Sequence, residues 1–234
     1  MDDISAAITA AISLVIRLDP NLTEIVGLSL KVSLGAVAIA AVIGLPLGAA
    51  AALFRFPGRS VIVVLMNALM GLPPVVVGLV VYLLISRSGP FGTFGLLFTP
   101  TAMIIAQVVL VTPIVAALTR QVIEGLWQEY EDQLRSLGAD PLSALPTLLW
   151  DGRFSLITAV LAGFGRASAE VGAVMIVGGN IDHVTRMMTT SIALEVSKGD
   201  LSLALGLGLI LLTLSTTVNA GVYLIKEMAE RRHA

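Results

Sequence analysis

The sequence predicts an all-α polytopic membrane protein, and three observations support that class. Of its 234 residues, 56% are hydrophobic and only 13% are charged, whereas soluble domains have about 45–50% apolar and about 25% charged residues. Five stretches are long and apolar enough to cross a bilayer. Glycine (22 residues) and proline (10 residues) are frequent, as they are in membrane helices. The composition therefore excludes a soluble globular enzyme and a disordered chain.

The five predicted spans follow from length, since about 20 apolar residues cross about 30 Å of hydrocarbon. They are residues 25–52, 60–85, 96–118, 154–178 and 201–225. Together they predict a transmembrane domain over residues 21–228, followed by a tail at residues 229–234.

A shorter apolar segment, residues 4–18, precedes the first span. It is too short to cross comfortably, so residues 1–20 are expected to form a helix in the membrane interface, with a tilted sixth span as the alternative. Asp2 and Asp3 occupy positions where a signal peptide carries positive charge. A cleaved leader is therefore not expected.

Positive charges in the short loops predict the orientation in the cell membrane, because cytoplasmic loops carry an excess of lysine and arginine. One side collects eight such residues: Arg55, Arg59, Arg120, Arg135, Arg153, Lys226, Arg231 and Arg232. The other side collects four: Arg17, Arg87, Arg186 and Lys198. The larger set predicts the cytoplasmic face, which places the N-terminus outside and the C-terminus inside.

The composition also excludes several kinds of chemistry. A net charge of -2 leaves no basic surface for nucleic acid. The absence of cysteine excludes disulfides, thiolate metal ligands and cysteine nucleophiles. His183 and His233 each lack a second ligand at a suitable spacing, so we predict no metal and no other cofactor.

Three charged residues fall within the predicted spans. Lys31 is expected to extend its amine to the outer surface. Arg166 and Glu170 are spaced i, i+4, which places them on one face of a single fourth helix. Charges at this depth are costly, so the pair is either a structural ion pair or part of a path for an anion.

Pro73 and Pro74 lie in the middle of the second span. Two prolines remove two backbone donors, so the helix is expected to kink or break there. A broken helix at membrane depth is tolerated where it lines a cavity. The break is therefore either a packing kink or an unwound gate.

Small and polar residues within the spans predict helix contacts. Gly44 and Gly48 permit close approach of a neighbouring helix, and Gln107 and Asn219 can hydrogen-bond across helices. We interpret all four as packing residues.

The segment of residues 119–153 is unusually long for a connection between two spans. A helical period in its first half predicts a short helix, with apolar residues at Leu126, Tyr130, Leu134 and Leu137. Gly138 is expected to end that helix. Asp140 and Pro141 then predict the start of a second short helix, as N-cap and first residue. The pair is either a surface hairpin or a docking element for a soluble partner.

Residues 129–139 (EYEDQLRSLGA) resemble the coupling-loop signature of permease subunits of ATP-binding-cassette (ABC) importers. The signature's Glu-Ala-Ala positions fall on Asp132, Gln133 and Leu134, and its glycine falls on Gly138. Its closing Ile-x-Leu-Pro begins at Leu148 and lacks the proline.

Two membrane segments extend the resemblance over roughly residues 24–225. Residues 71–78 (GLPPVVVG) resemble the Leu-Pro-Pro element of the same family. Residues 163–180, which contain AEVGAVM, resemble the fourth core span of the oxyanion permeases for molybdate, tungstate and sulfate. Within that group the likeness is greatest to the tungstate-type permeases.

The resemblance implies a type I ABC importer permease fold that imports an oxyanion. It implies a permease homodimer, two cytoplasmic ABC ATPase subunits and an external solute-binding protein. The chain itself lacks the Gly-Lys-Ser/Thr of a nucleotide-binding loop, so it is expected to be a transporter subunit and not an enzyme. The outer loop Gly178–Asp200 is expected to meet the binding protein or to be a plain solvated connection.

The same resemblance nominates two sets of functional residues. Those expected to couple the permease to the ATPase are Asp132, Gln133, Leu134, Leu137, Gly138, Ala139 and Leu148. Those expected along the translocation path are Pro73, Pro74, Arg166, Glu170 and Asn180.

Two other classes compete with an ABC permease. A self-sufficient secondary transporter is disfavoured by the lack of an internal repeat. An intramembrane enzyme is disfavoured because the spans hold no histidine, cysteine or paired carboxylates for acid–base work. Molybdate and sulfate remain alternatives to tungstate as the transported anion.

Overall fold

A computed structural model describes residues 8–9, 20–54 and 56–231 of the chain. From Pro20 onward the described chain forms nine α-helices and one 3-10 turn (Gly92–Phe94). The helices are α1 Pro20–Leu53, α2 Arg59–Met70, α3 Pro74–Ile85, α4 Pro100–Ser136, α5 Pro141–Asp151, α6 Arg153–Ser168, α7 Gly172–Gly178, α8 Met188–Lys198 and α9 Leu201–Arg231. The N-terminal helix expected within residues 1–20 lies outside the described residues apart from the helical Ile8 and Thr9, as do Arg55 and residues 232–234.

Three helices, α1, α4 and α9, are each long and apolar enough to cross a membrane. They confirm the first, third and fifth predicted spans and extend beyond them. Two further candidates are bent pairs, α2 with α3 and α6 with α7, whose axes turn by 103° and 58°. By length and composition, the described chain thus has three helices that could each cross a membrane, or up to five spans when each bent pair counts as one.

The second predicted span, residues 60–85, is not one helix. It divides at Gly71 and Leu72, and Pro73 holds an extended backbone (φ -64°, ψ 122°) just before α3. Pro74 is the first residue of α3, where its missing N–H leaves no donor unsatisfied. The predicted break at the two prolines is confirmed, and it is a sharp turn rather than a kink.

The first part of the 119–153 segment differs from the prediction. It is not a separate short helix, because α4 runs without interruption for 37 residues from the membrane to Ser136. After Pro113 no proline follows until Pro141, and Gly125 alone does not end a helix. The predicted face is correct for Leu126, Tyr130 and Leu134, which pack against the core. Leu137 instead follows the helix and is exposed, and the continuity of the helix with the span was not predicted.

The turn between α4 and α5 was predicted correctly. Gly138 adopts a left-handed backbone (φ 79°), and the N–H groups of Gly138 and Ala139 donate to the carbonyls of Arg135 (3.0 Å) and Leu134 (2.9 Å). This is the Schellman pattern of a helix C-terminus. Asp140 then caps α5 by accepting a 2.8 Å hydrogen bond from the Ser143 N–H. We call α5, this turn and the end of α4 the hairpin.

The outer connection, residues 178–200, was expected to be a loop and contains a helix instead. Its α8 buries Met188, Thr189, Thr190 and Ser191, and the Met188 N–H donates to the Ser29 hydroxyl of α1 (2.9 Å). The connection therefore enters the core, where the Thr189 and Thr190 hydroxyls donate to backbone carbonyls.

Close packing of α1 on α4 organises the core. Gly44 and Gly48 face α4 as predicted: a Cβ at Gly44 would lie 3.0 Å from the Val115 Cβ, and one at Gly48 would overlap the Ala116 carbonyl oxygen. The absence of side chains at these glycines lets the two backbones approach. Val32 and Val37 of α1 are buried along the same contact.

We expect Gly48→Ala to lower the free energy of unfolding by about 1–3 kcal/mol, because the added methyl forces the two helices apart. The measurement is the thermal unfolding midpoint of the purified chain in detergent. Gly27→Ala in the same helix is the matched control, since no atom lies within 4 Å of its Cβ position, and it should not destabilise. Equal losses from both variants would contradict the packing argument.

Candidate translocation and coupling sites

A buried carboxylate occupies the break between α6 and α7. Glu170 is 3% exposed. One of its oxygens, Oε1, accepts a 3.0 Å hydrogen bond from the Ala173 N–H in the first turn of α7, and the other, Oε2, lies 3.6 Å from Nη2 of Arg166. Arg166 keeps 34% of its side chain exposed. The carboxylate therefore belongs to the protein interior, while the guanidinium reaches a surface.

The predicted geometry of this pair was partly wrong. Arg166 and Glu170 do not share one helix, because α6 ends at Ser168. A tighter turn follows, in which the Glu170 N–H donates to the Ala167 carbonyl (3.3 Å). That turn keeps both side chains on the same side of the chain, so the ion pair forms despite the break.

Two other buried side chains satisfy backbone groups at the same break. Gln107 of α4 is fully buried and donates from Nε2 to the Ala167 carbonyl (3.1 Å). The Thr189 hydroxyl donates to the Glu170 carbonyl (2.9 Å). The predicted cross-helix bond of Gln107 is confirmed, whereas Asn219 instead donates to Ser215 within its own helix (2.9 Å). Sequence reasoning missed Thr189, whose only signal was its place in a run of hydroxyl-bearing residues.

The two helix breaks lie against each other. A Cβ at Gly78 of α3 would lie 2.8 Å from the Ala173 Cα of α7, and one at Gly172 would lie 3.0 Å from Cγ2 of Val75. Val75 follows Pro74, and Gly172 lies two residues after Glu170. The structure thus brings the Pro73–Pro74 turn and the Arg166–Glu170 pair into one region, where glycine permits the contact.

Asn180, the fifth predicted path residue, lies at the other end of α7. The seven residues of α7 separate it from Glu170 by about 10 Å at 1.5 Å per residue. It has a left-handed backbone (φ 50°), and its amide nitrogen is 3.5 Å from the Thr190 carbonyl. Asn180 therefore stabilises the outer connection and does not join the other four.

The hairpin presents an exposed apolar tip. Leu137 is 83% exposed, and Leu142 in the first turn of α5 is 62% exposed. No atom lies within 4 Å of a Cβ placed on Gly138. Exposed apolar residues of this size outside a bilayer mark an interaction surface.

The other predicted coupling residues divide by burial. Asp132 and Gln133 are exposed, and Leu134 and Ala139 are half-buried. Leu148 is fully buried, so it does not belong to the exposed surface of the hairpin. It packs instead with Leu53, Ile123, Trp127 and Ala144, which fixes α5 against α1 and α4.

A charged cluster that sequence reasoning missed joins three helices at the same end. Arg59 of α2 donates from Nε to the Ala51 carbonyl of α1 (2.8 Å) and from Nη2 to Glu124 of α4 (2.7 Å). Glu124 also pairs with Arg120. An arginine that bonds the last carbonyls of a helix satisfies the acceptors at its C-terminus. This cluster therefore fixes α1 and α2 to the part of α4 that continues beyond the predicted third span.

Two ionisable groups in the hairpin have shifted pKa values. The Ser143 hydroxyl and N–H lower the pKa of Asp140, so this cap is present at neutral pH and is lost as the pH falls through that lowered value. The charge of Asp151, followed by that of Glu129, raises the pKa of Tyr130. Both shifts move the pKa values of these groups further from neutral pH, where Asp140 is ionised and Tyr130 is neutral.

The opposite end of the molecule carries a mixed-charge surface. His183 Nδ1 lies 2.7 Å from Glu24 at the start of α1, and hydrogen bonding to this carboxylate raises the pKa of His183. Arg186 pairs with Asp182 (2.6 Å). Within the described residues, no group of three or more His, Asp or Glu side chains could hold a metal ion.

Comparison with known proteins places these features in a family context. A family model described as binding-protein-dependent transport system inner membrane component matches residues 44–232. The tungstate uptake system permease protein TupB of Peptoclostridium acidaminophilum is 42% identical over 97% of this chain and 100% of its own length. TupB of Campylobacter jejuni is 40% identical over 71% of this chain and 70% of its own. The sulfate transport system permease protein CysW of Synechocystis is 28% identical over 92% and 79%.

We expect Arg166→Gln to lower the free energy of unfolding by about 1–3 kcal/mol, because it leaves the buried Glu170 carboxylate without a cation. The double variant Arg166→Gln/Glu170→Gln should recover part of this loss, since the new amide oxygen can still accept from the Ala173 N–H. Thermal unfolding in detergent measures both. The exposed Arg231–Glu227 pair is the control, and Arg231→Gln should have little effect. A double variant that loses the sum of both single losses would contradict this account.

Proposed function

This chain belongs to the family of binding-protein-dependent transport system inner membrane components, and we propose that it is the permease of an ATP-driven tungstate importer. It is a multi-pass membrane protein, and membership implies partnership with an ATPase and a binding protein. The observation that carries the choice of tungstate is the 42% identity to a tungstate uptake permease along 97% of the chain. Identity to sulfate permeases falls to 28%, so molybdate and sulfate are secondary candidates.

The anion path that we propose passes the two helix breaks. A tetrahedral oxyanion crossing hydrocarbon needs hydrogen-bond donors and positive potential, but only briefly. Arg166 offers both, because a third of its side chain stays exposed and Glu170 neutralises its charge only in part. Partial neutralisation favours weak, passing contact over tight binding. The turn at Pro73 and Pro74 lies beside it and would act as the gate.

We further propose that two copies of the chain enclose the path. None of the α2 residues is buried, and α3 exposes apolar residues including Val76, Leu79 and Leu83. A second copy packed across this face would close a channel that five spans alone are too few to surround. Lipid would cover the remaining apolar surface.

Coupling to ATP hydrolysis would occur at the hairpin. Each of two cytoplasmic ATPase subunits would receive the exposed tip of one hairpin, with Leu137, Gly138 and Leu142 at its centre. Asp132, Gln133, Leu134 and Ala139 would border this contact. Leu148 would act indirectly, by keeping α5 in place.

The proposed orientation follows from these contacts and from the loop charges. The hairpin and the C-terminal tail at residues 229–234 would be cytoplasmic, and the N-terminus would be outside. Residues 21–228 would form the membrane domain, with residues 1–20 in the interface. The external binding protein would meet the outer connection near Asp182 and Arg186.

We expect Leu137→Asp to uncouple the transporter, because a charge replaces the most exposed apolar side chain of the hairpin tip. Uptake by proteoliposomes that contain the complete importer should fall at least tenfold, and ATP hydrolysis should no longer respond to the loaded binding protein. Leu137→Met keeps an apolar side chain and should retain both activities. Gly138→Trp should also uncouple, and Gly138→Asn, which tolerates the left-handed backbone, is its control.

Normal uptake by Leu137→Asp at wild-type protein levels would refute the docking role of the tip. Unchanged thermal unfolding of the variant in detergent would show that any loss of uptake is not a loss of folding.

Anion competition tests the proposed substrate and path together. Uptake by the complete importer should be competed by tungstate at lower concentration than by molybdate, and least by sulfate. Arg166→Gln should reduce uptake at least tenfold, because the path loses its positive charge, whereas Arg231→Gln should not.

Sulfate competing more strongly than tungstate would overturn the proposed substrate. Unchanged uptake and anion order in Arg166→Gln would overturn the path. Uptake without any ATPase would overturn the importer class.

A further inference from the structure

An apolar groove of about 700 Å³ lies between α1, α6 and α9. Its walls include Val42, Ile157 and Val218, and Arg153 alone is polar among the residues that line it. A path for an oxyanion needs several donors, so this groove does not suit the transported substrate. It is also separate from the two helix breaks.

The groove has the length of one leaflet. On α1 it runs from Leu34 to Pro46, which is about 18 Å at 1.5 Å per residue, and half of a bilayer's hydrocarbon core is about 15 Å. It ends at Leu149 and Arg153, next to the hairpin. Its dimensions and lining therefore fit an acyl chain that extends from the membrane midplane to the hairpin side.

Arg153 is held rigidly at the end of the groove. Its guanidinium carbon lies 4.6 Å from the centre of the Trp150 ring and 4.4 Å from that of Phe154. Its Nη1 donates to the Trp150 carbonyl (2.6 Å). This geometry fixes the position of the charge and engages one of the five N–H donors of an arginine.

Arg153 is also an unpaired cation. Every arginine in the described residues has a carboxylate within ion-pair distance except Arg153 and Arg87. A second cation, Lys226, lies one helical turn beyond the groove residue Val222 and bonds the Thr158 hydroxyl of α6 (3.2 Å). Two cations at the mouth of an apolar groove complement a phosphate attached to acyl chains.

We propose that the groove binds an anionic phospholipid, with one acyl chain along α1 and its phosphate on Arg153. The unpaired cation distinguishes this occupant from a second copy of the chain, which would need a carboxylate to meet Arg153. Basic pockets between membrane helices bind such headgroups. The site is independent of the transported anion and of the proposed path.

Native mass spectrometry of the full chain, purified together with its ATPase, tests the proposal. The micelle would contain phosphatidylglycerol and phosphatidylcholine in equal amounts, and the lipid retained per permease is measured. The wild-type chain should retain phosphatidylglycerol at least fivefold over phosphatidylcholine, since each cation near an anionic headgroup contributes about that factor. Arg153→Gln should lower this ratio about fivefold, and any preference that is left would come from Lys226.

One groove variant and two matched controls separate the contact with the acyl chain from the contact with the headgroup. Ala41→Trp fills the groove from α1 and should lower retention of both lipids. Arg87→Gln removes the other unpaired arginine, and Ala38→Trp adds the same bulk at an exposed α1 position outside the groove, so neither should change retention.

An unchanged lipid ratio in Arg153→Gln, or an equal loss in Arg87→Gln, would overturn the proposal. Dissociation of a permease dimer by Ala41→Trp with unchanged lipid retention would assign the groove to a second copy instead.

Discussion

Every backbone N–H and C=O inside a membrane needs a hydrogen-bond partner, because water is absent there. This chain interrupts two apolar stretches at that depth, and its buried polar side chains lie where the interruptions need them. At the α2–α3 turn, two prolines remove the donors that would otherwise be unsatisfied. At the α6–α7 break, Glu170 accepts from the Ala173 N–H, and Gln107 donates to the Ala167 carbonyl. The burial of Glu170 and Gln107 therefore has a structural explanation.

The same constraint gives α4 a double role. Near its start, Gln107 holds the end of α6, and at its far end Ser136 leads into the hairpin. The 29 residues between them form one uninterrupted helix of about 44 Å at 1.5 Å per residue. Arg59 and Glu124 attach α1 and α2 to this helix near the hairpin. In the transporter we propose, a push on the hairpin is therefore carried as a rigid-body movement to the helix breaks, without any need for a flexible link.

The sequence allowed much of this fold to be predicted, and the errors have physical causes. Spans, the Pro73–Pro74 break, the Gly44–Gly48 contact and the Asp140 cap depend on local composition, which a sequence displays directly. The continuity of α4 was missed because helical periodicity looks the same in a short helix and in the last turns of a long one. The end of α6 at Ser168 was missed because its cause is tertiary: Gln107 and Thr189 lie 61 and 21 residues away from Ser168 in the chain. The burial of Leu148 and Thr189 likewise depends on neighbours brought together by folding.

The distribution of polar groups also limits where an anion can pass. A single donor already bonded to a backbone carbonyl, such as the Thr189 hydroxyl, cannot serve a passing ligand without leaving that carbonyl unpaired. Arg166 differs, because a guanidinium has five N–H donors and its contact with Glu170 is a loose 3.6 Å. It can therefore hold the buried carboxylate and still offer donors to a surface. In the transporter we propose, a path beside the α6–α7 break would consequently need no dedicated binding cage. Arg166, which pairs with the buried carboxylate at the break, would also supply the positive potential, and the proposed second copy would only have to close the open side.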